Sequence, residues 1–127
     1  MSVSHQENAL AGKKSKRHGP GYVYLIRQRG SSNCKIGLSI DPESRFVQID
    51  YSVPFDIDMI HTMLVPSMKE AEDLWHRVFK KYRKKGEWFE LPEAAIELFR
   101  SCNGNHEYGL SYEIFLSNRW YWEEAIQ

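Results

Sequence analysis

The chain has 127 residues, 42% hydrophobic and 27% charged, which suffices for one domain with an ordinary core and no covalent staples. Two cysteines cannot make a disulfide framework, no apolar run reaches the length of a membrane span, and the N-terminus lacks a hydrophobic signal segment. A soluble, cytoplasmic protein is therefore expected. The formal net charge of +0 hides an asymmetry: residues 1–85 carry 15 Lys and Arg against 9 Asp and Glu, whereas residues 86–127 carry 2 against 8. A basic body with an acidic end can draw a polyanion to one side, and an unevenly charged solvated surface is the competing reading.

Met1 to Pro20 is polar and holds the basic cluster Lys13, Lys14, Lys16, Arg17 and His18, so a flexible tail over residues 1–20 is expected. GYVYLI from Gly21 alternates Tyr22, Tyr24 and Ile26 with Val23 and Leu25, the period-two pattern of a strand. RQRGSSN supplies a hairpin loop, and CKIGLS a second strand. Asp41 then fits a helix N-cap with Pro42 at the first helical position, where its missing N–H is harmless. This helix should run to about Ile49, followed by a loop at Tyr51–Pro54 and a third strand in which Phe55, Ile57, Met59, His61 and Met63 share a face.

Ser67-Met-Lys-Glu70 has the form of a capping box. Behind it Met68, Ala71, Leu74, Trp75, Val78, Phe79 and Tyr82 recur at the helical period, and Lys80 to Lys85 should close the helix before Gly86 stops it. Glu72 and His76 sit four apart beside the buried stripe. Glu87–Leu91 reads as a further short strand, and Pro92 opens a third helix burying Ala95, Ile96, Leu98 and Phe99. Residues 101–127 are loop-like and then aromatic, with Tyr112, Phe115, Trp120, Tyr121 and Trp122. They form an extension that either packs on the domain or serves an interaction, self-association included.

Val23-Tyr24, then Lys35-Ile36-Gly37, Arg45, Glu72 with His76, and Gly86-Glu87-Trp88-Phe89 follow one another at intervals that resemble the GIY-YIG nuclease superfamily. The resemblance is to its short branch of phages and bacteria with KIG and GEWF motifs, over residues 21–100. It implies an α+β fold with a small, mainly antiparallel three-stranded sheet flanked by helices in a sandwich-like arrangement. It further implies a DNA endonuclease, a phosphodiester hydrolase using one Mg2+ or Mn2+ on Glu72. The catalytic group would be Tyr24, Lys35, Arg45, Glu72 and His76, with Tyr22, Arg27, Arg29, Lys80 and Lys84 touching the substrate. The partner would be DNA, branched or phage-related substrates included, with no membrane, and the state a monomer or weak homodimer.

The chemistry asks for a base to activate water, positive charge for the phosphate and a metal for the leaving oxygen. Arg45 offers a planar fork for phosphate. Tyr24 or Lys35 would handle the attacking water; both titrate near 10 unperturbed and would have to be shifted down, a direction that Arg45 and a metal favour. Which of the two takes the proton stays open, because Lys35 stands where many members of that superfamily carry a second tyrosine.

Every residue also has a structural reading: Tyr24 as core, Lys35 and Arg45 as surface charge, Glu72 and His76 as a helix-face pair, Gly37 as a close-approach position. Trp75 and Trp88 are expected in the core, and Cys34 as a small buried residue rather than a nucleophile. The alternative function is a nucleic-acid-binding module on the same fold that lacks turnover or acts only within a larger complex.

Overall fold

The computed structural model describes residues 17–102; the expected tail before Arg17 and the aromatic extension after Cys102 lie outside the described residues. In chain order the elements are β1 (Gly21–Gln28), β2 (Asn33–Ser39), α1 (Pro42–Ser52), β3 (Ile57–Val65), α2 (Met68–Val78), a 3-10 turn (Lys80–Tyr82), β4 (Arg83–Lys85), β5 (Trp88–Glu90) and α3 (Glu93–Ser101). The strands make one antiparallel sheet in the order β3-β1-β2-β5-β4. The α+β class matches expectation, but the sheet has five strands where three were expected.

The alternation in β1 explains the layers. Val23 and Leu25 join Ile36, Met63 and Val65 in the larger core, closed by Leu74, Trp75, Phe79, Ile96 and Phe99 from α2, α3 and the turn after α2. Tyr24 and Ile26 point to the other face, into a smaller cluster with Ile49 and Ile57, flanked by Phe46, Val53 and Phe55. One helix, α1, thus covers one face of the sheet, and α2 with α3 covers the other. No helix among the described residues is long and apolar enough to cross a membrane.

Three local expectations are corrected. In β3 the pairing register with β1 shifts between Leu25 and Ile26, which oppose His61 and Met59 and leave Ile60 as an extra residue. Such a bulge flips the faces: Ile57 and Met59 pack in the smaller cluster, while Met63 and Val65 belong to the larger one and His61 lies edge-on against Phe99. The stretch Lys80–Lys85 is not the end of a helix. α2 stops at Val78, and Arg83–Lys85 is an edge strand, because Gly86 at φ 59° turns the chain into a hairpin that pairs with β5. Tertiary pairing there overrides the helical preference of a lysine-rich run. At the start of α2, Ser67 occupies the N-cap position but its hydroxyl makes no capping bond, so the expected box is not formed.

Candidate active site

The middle of β2, the first turn of α1, the middle of α2 and the turn before β5 come together near the hydroxyl of Tyr24. The side chain of Tyr24 leaves β1 on the α1 face and lies over Gly37, its register partner on β2; a Cβ at Gly37 would collide with the Tyr24 hydroxyl. Glycine is required at that position for this close approach. On the other side of the hydroxyl stands Arg45. Asp41 accepts the Ser44 amide at 3.2 Å and Pro42 occupies the first turn, and this N-cap starts α1 where its first full turn carries Arg45 to the phenol.

Lys35, from the middle of β2, donates to Glu87 Oε1 at 2.8 Å, and its ammonium lies 5.9 Å from the centroid of the Trp88 ring. Glu72 comes from α2, where it is the one charged side chain classed as buried among the described residues, 4% exposed. Lys69 Nζ reaches it only at 3.8 Å and bonds Asp73 at 2.8 Å instead. Glu72 and Glu87 are within hydrogen-bonding reach of each other. His76 Nε2 is 2.9 Å from the Ile36 carbonyl and its ring packs edge-on against Phe89. A carbonyl can only accept, so Nε2 carries the hydrogen and, in the neutral ring, Nδ1 is left with the lone pair.

The electrostatics follow from burial and pairing. Burial, and next the charge of Glu87, push Glu72 up to about 7, with Lys69 opposing. Glu87 is also pushed up by burial, but the hydrogen bond and charge of Lys35, with the charge of His76, outweigh this and hold it below the ordinary carboxylate range. Of the two carboxyls, Glu72 therefore has the higher proton affinity. Burial is also the largest influence on Tyr24, which is raised above its ordinary value despite the hydrogen bond from Arg45; the charges of Glu87 and Glu72 push the same way as burial. Arg45 pulls this phenol down, as expected, but with 1% exposure burial outweighs a single guanidinium.

Of the expected catalytic residues, Tyr24, Lys35, Arg45 and Glu72 converge on one corner, and His76 adjoins it through Ile36 and the charge it presents to Glu87. The expected substrate contacts are scattered. Tyr22 lines a separate cleft with Phe46, Val47 and Met59. Arg27 donates to Glu93 at 2.7 Å and to the Ser31 carbonyl, and Arg29 grips Asp58 through two nitrogens, so both are occupied by ion pairs of the fold. Lys80 and Lys84 are exposed on the 3-10 turn and β4. Sequence reasoning missed Glu87 as a member of the site. It also placed Trp88 in the core, where it instead lines an open cleft of about 290 Å³ with Lys35, Arg45, Gln48 and Ser52. The available signal was Glu87 beside Trp88 at the start of a strand, a charged residue where a buried hydrophobic would otherwise be expected. Cys34 and Cys102 are buried thiols pushed up to about 11 by burial, inert as nucleophiles.

Among the described residues no three His, Cys, Asp or Glu side chains gather as a ready-made metal cage. The Glu72–Glu87 pair nevertheless suits a hard divalent cation. Two carboxylates in contact, one of them buried and poorly compensated, gain from a cation between them, and Mg2+ keeps water and phosphate oxygens in its remaining positions.

No curated protein and no solved structure is found to match the chain. A family model does match it, the T5orf172 domain, over residues 21–103. The motifs had suggested membership of the GIY-YIG superfamily; the matching model replaces that assignment. The matched span begins with β1 and takes in every element of the site, and the chain belongs to the T5orf172 domain family.

Proposed function

We propose that this domain hydrolyses phosphodiester bonds in DNA with the help of one divalent cation, Mg2+ or Mn2+, held by Glu72 with Glu87 beside it. The observation that carries the reading is the convergence of the buried Glu72 and its half-buried neighbour Glu87 with Lys35 and Arg45, the last two lining an open cleft. When bound, the cation would supply charge for the phosphate and acidity for a coordinated water.

Arg45 and Lys35 supply the remaining positive charge, Arg45 as a fork and Lys35 as a point charge held by Glu87. Tyr24, raised and enclosed, acts as a positioning residue that fixes Arg45 through its hydroxyl. Glu72, with a proton affinity in the neutral range, would hold the cation as the ionised carboxylate. His76, anchored to the Ile36 carbonyl, holds α2 to β2 and sets the field at Glu87.

The test is nicking of supercoiled plasmid by the full chain with Mg2+ or Mn2+, against Glu72→Ala. Cleavage by the parent and loss in the variant support the reading; identical behaviour under both metals overturns it. A second reading, nucleic-acid binding without turnover, is favoured by the closed phenol and by the ammonium of Lys35 being engaged at 2.8 Å. It predicts salt-sensitive DNA retention with no cleavage.

A further inference from the structure

Two open clefts lie side by side along one flank of α1, and they share a wall. The first is the one lined by Lys35, Gln48, Ser52 and Trp88; the second, about 410 Å³, is lined by Arg17, Ser39, Ser44 and Asp41 over a floor of Leu38 and Met68. Arg45 and Gln48 line both, and Arg45 Nη1 donates to Gln48 Oε1 at 3.2 Å, so the divider is a single polar pair. A phosphate engaged by Arg45 therefore has an opening on either side of it.

The second cleft has the chemistry to hold a phosphate. Two guanidiniums, Arg17 and Arg45, face it with two hydroxyl residues, Ser39 and Ser44. Its acidic member, Asp41, is engaged as the N-cap, with Oδ1 accepting the Ser44 amide. Arg17 is brought there by the segment before β1, whose Gly19 carbonyl accepts the Met68 amide at 3.0 Å and fixes the chain against the start of α2. Lys13, Lys14 and Lys16 immediately precede Arg17 in the sequence. Arg17 thus stands at this cleft, next to the candidate active site, and not at a remote surface.

We propose that the second cleft binds the phosphate next to the scissile one, so that the DNA strand crosses Arg45 and continues along Arg17. The ligand is a polynucleotide backbone and not an isolated phosphate or mononucleotide. This rests on the nuclease reading and adds to it the direction in which the substrate leaves the site.

The experiment is fluorescence anisotropy of a labelled 20-base-pair duplex with the full chain in EDTA, which removes turnover, as a function of salt. Three proteins are compared: the parent, Arg17→Glu, and Arg100→Glu. The last reverses a charge on α3 that is paired with Glu97 at 3.1 Å and is an equal change in net charge. Arg17 is exposed, so its variant should unfold at the parent's temperature. Arg17→Glu should bind roughly tenfold more weakly, with a salt slope lower by about 1 because one fewer phosphate is neutralised. Arg100→Glu should change little. Equal weakening in the two variants, or none in Arg17→Glu, overturns the track while leaving the nuclease reading intact. Absence of DNA binding by the parent at low salt overturns both.

Discussion

Replacing Glu72 by Gln keeps the shape and the hydrogen-bonding reach of the side chain but removes its charge. Glu72 lies at about 7 in the folded protein against an ordinary 4.5. Each pH unit between the two values corresponds to about 1.4 kcal/mol, so the ionised carboxylate destabilises the fold by at most about 3 kcal/mol. The sign follows from where the proton sits. Below pH 4.5 both folded and unfolded chains hold it, and the parent and Glu72→Gln should be equally stable. From about 4.5 to 7 the unfolded chain has released it and the folded chain has not, so parental stability falls with rising pH and the penalty is complete above about 7. Glu87, held low, contributes the opposite trend at acid pH, present above its ordinary value and lost as pH falls through the folded one, in both proteins alike. At pH 8 Glu72→Gln should therefore melt higher than the parent, by on the order of 10 °C for a domain of this size. Thermal melts at pH 4.5, 6 and 8 measure this directly. Millimolar Mg2+ at pH 8 should raise the parent and leave Glu72→Gln unmoved, because a ligand stabilises only the state that binds it. A Glu72→Gln protein that melts at or below the parental temperature at pH 8 would show that the carboxylate is well compensated, and the case for a cation at this pair would go with it.

Tyr24→Phe removes the hydroxyl that meets Arg45. A positioning role predicts a fall of about tenfold in cleavage rate with the pH profile unmoved, whereas loss of a general base typically removes roughly 10²–10⁴-fold; a fall in the latter range would return the proton transfer to Tyr24. Gly37→Ala puts a methyl group where the Tyr24 hydroxyl lies. It should destabilise by about 1–3 kcal/mol, the usual penalty of overpacking, and lower the urea midpoint; an unchanged midpoint would mean that the phenol moves aside freely and does not hold Arg45.

The parts of this molecule that could be read from the chain are those decided by local periodicity. The alternation of Val23 and Leu25 with Tyr24 and Ile26 predicts which residues enter which layer, and the two cores divide them accordingly. The N-cap at Asp41 and the inward residues of α3 are likewise local signals. What stayed hidden depends on partners distant in sequence. Lys80–Lys85 looks like a helix end until β5 is available to pair with it. The bulge at Ile60 belongs to the match between two strands and leaves no mark on either alone. Glu87 gains its meaning from Lys35, 52 positions away. The direction in which Tyr24 titrates is set by enclosure, a property of the assembled layers that residue identity does not carry.

The groups gathered in this corner hang from parts of the sheet with unequal protection. β1, which carries Tyr24, is bonded to strands on both sides, whereas Glu87 sits at the turn between the three-residue strands β4 and β5 at the rim. Rims open locally at far lower free energy than centres. Gentle warming should thus detach the acid from its lysine while the tyrosine strand still resists amide exchange, so that the cleft loses its charge pattern well before the domain melts.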